Sequence, residues 1–237
     1  MNSQKWSIAV FILLLPACLF CGIYPQAGME LYMGSNAYLS LSPWAALRVN
    51  ISANSSIIFK FYRHILSYDY LAETETTNTL DAQLSNFTLI YYYQKGKIDY
   101  YAAASYLTGP AHGQTYSGAV LDSGLEYKIS KTLSLTAGIY LLHENSAVWF
   151  PADAQRNILS FSLKGGVKFK LIPQLILNPN VYILNNSDGV TSLSYALGLV
   201  YMPRDPVYIS IYYWRYSEKS AYKFAGNYIS AGLNFYF

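Results

Sequence analysis

Charge is scarce in this chain: Lys, Arg, Asp and Glu make up 12% of its 237 residues, where about 25% is usual for a soluble domain. A soluble protein so poor in charge would struggle to cover its surface with well-solvated groups. The net charge is only +3, too small and too scattered for a nucleic-acid footprint, so nucleic acid is not an expected partner. Cysteine is nearly absent. Cys18 and Cys21 both lie close to the amino end, which excludes a disulfide framework and a cysteine-based metal site from the body of the chain. Histidine occurs only as His64, His112 and His143. From Gly28 onward no apolar run is long enough for a transmembrane helix.

What is abundant is tyrosine, with 25 residues, inside an aromatic content of 17%. An excess of that kind suits membrane interfaces and wet interiors, where a ring is buried and its hydroxyl hydrogen-bonds. At the amino end Lys5 precedes an uncharged run from Trp6 to Pro25, which reads as an export signal. The expected division is a signal peptide over residues 1–22, its cleavage site not fixed by the pattern, and one domain over 23–237. The alternative for this run is an uncleaved anchor, since it is long enough to span as a helix. Leu15-Pro16-Ala17-Cys18 has the small residue before cysteine of a lipoprotein processing site, although its proline fits poorly, so lipidation of Cys18 is a second alternative.

Beyond Gly28 the chain breaks into short alternating runs separated by turn residues. The last is the most regular: Ile229, Ala231, Leu233, Phe235 and Phe237 fall on one face, and Tyr228, Ser230, Gly232, Asn234 and Tyr236 on the other, with a period of two to the final residue. Earlier runs include Met29 to Leu41, turned by Ser42-Pro43-Trp44, then Ala45 to Ala53 and Ile57 to Asp69. In the third run Arg63 shares a face with Phe59 and Phe61. Ala72 to Leu80 and Gly109 to Thr115 read as loops. The clearest hairpin joins Ser117–Ile129 to Leu133–Glu144. The whole pattern yields about 12 strands, or about 10 if the first two runs form an irregular cap.

A closing strand that ends on an aromatic residue, with apolar alternation to its last position, resembles the final strand of bacterial outer-membrane β-barrels. The resemblance implies an all-β, antiparallel, up-and-down transmembrane barrel in a Gram-negative outer membrane, its last strand paired with its first. It also implies that the apolar face meets outer-membrane lipid, and that Tyr228, Leu233, Phe235 and Phe237 form the signal read by the outer-membrane assembly machinery. Connection lengths agree: links after even-numbered runs are short and most links after odd-numbered runs are longer, as periplasmic turns and outer loops are. A secreted β-sandwich is the rival, because alternation alone fits it too.

In a barrel the polar faces become the lumen, which then receives Arg48, Lys60, Asp122, Glu126, Lys164 and Lys168 together with Tyr140, Tyr182 and Tyr212. Asp122 and Glu126 lie two runs away from Lys164 and Lys168, across the small residues Ser134, Thr136 and Gly138, so acid and base can meet over that gap. Such pairs either stiffen the wall or form a constriction that tunes passage. The leading functional expectation is a small, porin-like pore for polar solutes, sugars included, because phenol rings stack on flat sugar faces. The chain resembles in size the small monomeric porins that pass acidic oligosaccharides, but lacks their dense arginine tracks, with Arg48 the one arginine assigned to the lumen. The alternatives are a closed barrel with a structural or surface-interaction role and a lipid-modifying enzyme built on His143, whose nearest serine is Ser146. That spacing puts the two on opposite faces unless the chain has turned. No cofactor is expected. Asn185-Asn186-Ser187-Asp188-Gly189 falls short of a calcium loop in ligand count and spacing, and no metal site is expected.

Overall fold

Period-two alternation on both sides of short polar turns can bury neither face alone, and closing the sheet on itself removes both edges at once. The computed structural model describes residues 22–71, 77–111, 114–145, 157–187, 189, 191–216 and 226–236. It shows twelve antiparallel strands: β1 (Ile23–Gly34), β2 (Tyr38–Ser52), β3 (Ser55–Leu71), β4 (Thr77–Lys95), β5 (Ile98–Ala111), β6 (Gln114–Lys128), β7 (Leu133–Asn145), β8 (Asn157–Ile172), β9 (Leu175–Asn186), β10 (Thr191–Arg204), β11 (Val207–Tyr216) and β12 (Gly226–Tyr236). Each pairs with its chain neighbours, and β1 pairs with β12 from Gln26↔Tyr236 to Gly34↔Tyr228. The barrel is closed. That outcome removes both the β-sandwich and the ten-strand alternative, since β1 and β2 are full staves.

The hydrophobic logic is inverted relative to a soluble domain. Met29, Leu47, Phe59, Phe87, Leu121, Leu163, Leu197, Ile211 and Leu233 point outward and are exposed, while their strand neighbours face the interior. Together they make an apolar belt whose natural solvent is hydrocarbon. Tyr91, Tyr127 and Tyr201 lie on the outer face toward the end that carries the short turns, where phenols mark a membrane–water boundary. That end, with the start of β1 and the end of β12, is the periplasmic one in barrels of this kind.

Three expectations about boundaries are corrected. The first turn is Ser35-Asn36-Ala37, not Ser42-Pro43-Trp44, and Asn36 and Ala37 have φ of 58° and 50°, the positive values a tight hairpin needs. Ser42, Pro43 and Trp44 lie within β2. Thr77 to Leu80 belong to β4, paired with Tyr68 to Leu71 on β3, and Gly109 to Ala111 belong to β5, paired with Gln114 to Tyr116. The described residues of both spans are ladder. Arg63 does face outward with the phenylalanines; it donates to Ser85 Oγ at 2.9 Å and to Gln83 Oε1 at 2.8 Å on β4. The export-signal reading, Cys18, His112, Ser146 and Phe237 lie outside the described residues.

Candidate functional site

The interior is the candidate site, and it divides along the barrel axis. In its periplasmic half, neighbouring strands deliver acid and base to one sector of wall. Lys164 on β8 reaches across β7 to Asp122 on β6 at 2.6 Å, and Lys168 pairs with Glu126 over the same strand. The crossing depends on Gly138, where an added Cβ would lie 2.3 Å from Lys164 Cε. Tyr101 donates to Asp122 Oδ2 at 3.0 Å and is itself contacted by the Lys164 ammonium. One strand further round, Lys128 pairs with Asp99 at 2.8 Å. Three cations and three carboxylates neutralise one another here, so this sector offers dipoles rather than net charge.

The β2–β3 sector is different. Lys60 holds its ammonium 3.7 Å from the centroid of Trp44 and 4.3 Å from that of Tyr62, a cation–π arrangement in place of a carboxylate contact. Arg48 lies with its guanidinium carbon 5.9 Å from the Tyr92 centroid. Two cavities adjoin this sector. One, of about 510 Å³, sits at the periplasmic mouth between Tyr24, Gln26, Arg48, Asn50, Tyr208 and Tyr236. The other, of about 430 Å³, lies deeper, with Glu30, Lys60, His64, Asp122 and Tyr140 among its walls.

The outer half of the interior is filled instead. Tyr38, Leu66, Tyr68, Ala82, Leu84, Ala111, Tyr116 and Tyr228 form one buried cluster, with Tyr32, Leu107, Trp214 and Tyr216 packed against it. Tyr228 meets Tyr38 and Tyr216 edge-on at centroid separations of 5.5 and 5.3 Å, and its ring occupies the space beside Gly34, where an added Cβ would lie 2.1 Å away. Glu144 is buried in this half and accepts from the Tyr116 hydroxyl at 2.6 Å. Around the cluster the inward positions are small and hydroxylated: Ser40, Ser42, Ser160, Ser192 and Ser194 are all buried.

Of the residues assigned to the lumen from sequence, Asp122, Glu126, Lys164 and Lys168 come together on one sector, Arg48 and Lys60 stand on another, and Tyr140 lines the deeper cavity. Tyr182 and Tyr212 meet Trp214, at 5.5 and 5.9 Å between centroids, below the outer cluster. On β12, Tyr228 faces inward while Leu233 and Phe235 lie on the outward face. His143 is exposed on the outward face of β7, between Ala119 and Leu159. Among the described residues, a histidine that does meet a serine is His64, whose Nδ1 lies 2.8 Å from Ser42 Oγ. Sequence reading missed this pair and the lumen role of Trp44 because both rest on the span read as a turn. Continuous alternation from Tyr38 to Ser52 was the signal that could have found them.

No protein-family model matches the sequence, and no curated protein matches it. Solved structures do match the fold. The COG4313 outer membrane channel from Pseudomonas putida F1 gives a TM-score of 0.68 at 7% identity, covering 91% of this chain and 96% of that one. The KdgM porin in complex with disordered oligogalacturonate gives 0.55 at 7% identity, covering 90% and 99%, and a second KdgM porin structure gives 0.51 at 8% identity over the same shares. The protein has the fold of bacterial outer-membrane β-barrels, and its apolar belt fits it to the outer membrane.

Proposed function

We propose that the barrel is a narrow channel for small polar solutes. The observation that carries this reading is a pair of cavities, about 510 Å³ at the periplasmic mouth and about 430 Å³ in mid-barrel reaching up to Leu107 and Tyr116, whose walls include charged, phenolic and amide side chains. The fold it shares with the solved channels agrees with that use. Neutralised ion pairs on β5 to β8 hold the wall open without presenting a strong field, while Arg48 and Lys60 contribute positive charge. Tyrosine hydroxyls and asparagine amides supply partners for hydroxylated solutes, sugars among them. On the same reading, outward Leu233 and Phe235 together with Phe237 and inward Tyr228 make up the β12 signal for insertion by the assembly machinery.

A second reading, a closed barrel with a structural or surface role, is favoured by the aromatic cluster in the outer half. One experiment separates the two. Purified protein that shows a heat-modifiable band, hence a folded barrel, is recorded in a planar bilayer. The channel reading expects discrete current steps from the wild type; a folded barrel that never conducts leaves the closed reading standing.

A further inference from the structure

Five lysines and arginines on the interior wall toward the periplasm are not alike. Lys128, Lys164 and Lys168 each have a carboxylate partner, and Lys60 is held between two aromatic faces. Arg48 has neither an ion pair nor a side-chain hydrogen bond among the described residues, and its Nε is buried without a partner. Its charge is therefore matched by no carboxylate within ion-pair distance among the described residues, and the guanidinium is one wall of a cavity that a ligand can enter.

The surroundings say what that ligand is. Arg48 lines the cavity of about 510 Å³ at the periplasmic mouth, within the range of about 300–1,000 Å³ common for small-ligand sites. Among the described residues no carboxylate lines it. The walls offer the phenols of Tyr24, Tyr208 and Tyr236 and the amides of Gln26 and Asn50. Tyr208 and Tyr236 brace each other edge-to-face at 4.7 Å between centroids, and Tyr236 rests 6.1 Å from Trp44, so the aromatic side of the cavity is fixed. A planar guanidinium matches a carboxylate through two parallel hydrogen bonds, and phenols and amides suit hydroxyl groups beside it.

We infer that the Arg48 cavity is a binding site for a small hydroxylated organic carboxylate. The site is built at the mouth and does not require the outer half to conduct. Its extension to the permeating solute, an exit vestibule that favours organic anions over neutral solutes of equal size, rests on the channel reading.

The test is titration calorimetry of the detergent-folded full chain, its fold verified by the heat shift, with gluconate as probe and glucose as the uncharged control. Gluconate binds the wild type and glucose does not. Arg48→Gln weakens gluconate by at least about tenfold, as loss of a charge-assisted bidentate contact should, and Arg48→Lys recovers part of the loss. If Arg48→Gln fails to fold, the wild type alone decides, because gluconate affinity must fall as potassium chloride is raised. The inference is overturned if the wild type binds neither probe, if it binds both equally, if Arg48→Gln binds gluconate as the wild type does, or if salt leaves the affinity unchanged. Gluconate binding by a barrel that gives no current in a bilayer would retain the site and remove the channel reading; current without gluconate binding would do the reverse.

Discussion

The two halves of this interior are built from the same twelve strands and obey the same alternation, yet one is filled and the other is hollow. Toward the outer end the inward positions carry Tyr38, Leu66, Tyr68, Leu84, Tyr116 and Tyr228, which bury one another. Toward the periplasm they carry acid–base pairs and amides, with one cavity at the mouth and a second that runs up to the cluster at Tyr116. Alternation therefore decides which side chains enter the barrel, and their chemistry along the strand decides whether water follows them. Rings that find rings close the space, because dispersion and apolar burial reward contact. Charged groups pair across a strand and leave room beside them, because each retains part of its hydration.

The strongest way to break this contrast is to hollow the filled half. Tyr68→Ala combined with Tyr228→Ala removes two side chains that are 1% and 2% exposed, and we expect a severalfold rise in single-channel conductance relative to the wild type. Stability should fall at the same time, by about 3–5 kcal/mol for each lost ring, read from denaturant unfolding in detergent. Unchanged conductance in the folded double variant would show that the cluster is not the constriction. Next in size is a change of one atom. Tyr116→Phe takes the hydroxyl from buried Glu144 and should cost about 1–3 kcal/mol, because a buried carboxyl oxygen loses that donor. The same substitution at Tyr208, beside the periplasmic cavity, should cost less than about 0.5 kcal/mol. Equal costs at the two sites would erase the distinction between a dry half and a wet one.

Between these and the smallest effects lies Gly138→Val. Its side chain would occupy the path that Lys164 takes to Asp122, leaving the carboxylate facing the lumen without its lysine. The expected outcome is a reversal potential shifted toward cation preference in a potassium chloride gradient, with little change in conductance. A shift toward anions would mean that the lysine, not the acid, is left in the path.

Much of the barrel is legible in the sequence, and the first hairpin shows why some of it is not. Met33 and Leu39 both face outward, as alternation requires, and the pairing Gly34↔Tyr38 keeps odd residues outside on both strands. A three-residue turn that preserves parity leaves no phase slip to mark it. Ser35-Asn36-Ala37 also contains no glycine or proline, whereas Ser42-Pro43-Trp44 looks like a turn. Proline is accommodated there because the ladder to β1 holds at Met29↔Pro43, while the ladder to β3 lapses between Leu41↔Ile65 and Trp44↔Tyr62 and resumes in the same register, so the missing donor interrupts pairing on one side only. The approach of Lys164 to Asp122 could be anticipated, since it needs only strand order and a small residue between. The Ser42–His64 contact, the Trp44 face under Lys60 and the outer cluster depend on that misread span or on side-chain directions across several strands, which period-two patterns do not carry.

The smallest predicted effect tests the neutral sector itself. Lys128 and Asp99 are paired at 2.8 Å, but the lysine side chain is 32% exposed, so water screens much of the attraction and the pair should contribute only about 0.2–1 kcal/mol. Lys128→Met and Asp99→Asn should each lower stability by no more than that, and the double variant should lose little beyond the larger single loss, since the second change removes a partner already gone. Their opposite charge changes make the more sensitive readout. If this sector presents dipoles rather than net charge, Lys128→Met should move the reversal potential toward cations and Asp99→Asn toward anions by similar amounts, and the double variant should return to the wild-type value. A double variant that stays displaced would mean that one member of the pair acts on the permeating ion alone. The sector would then belong with Arg48, as a wall that carries charge into the lumen.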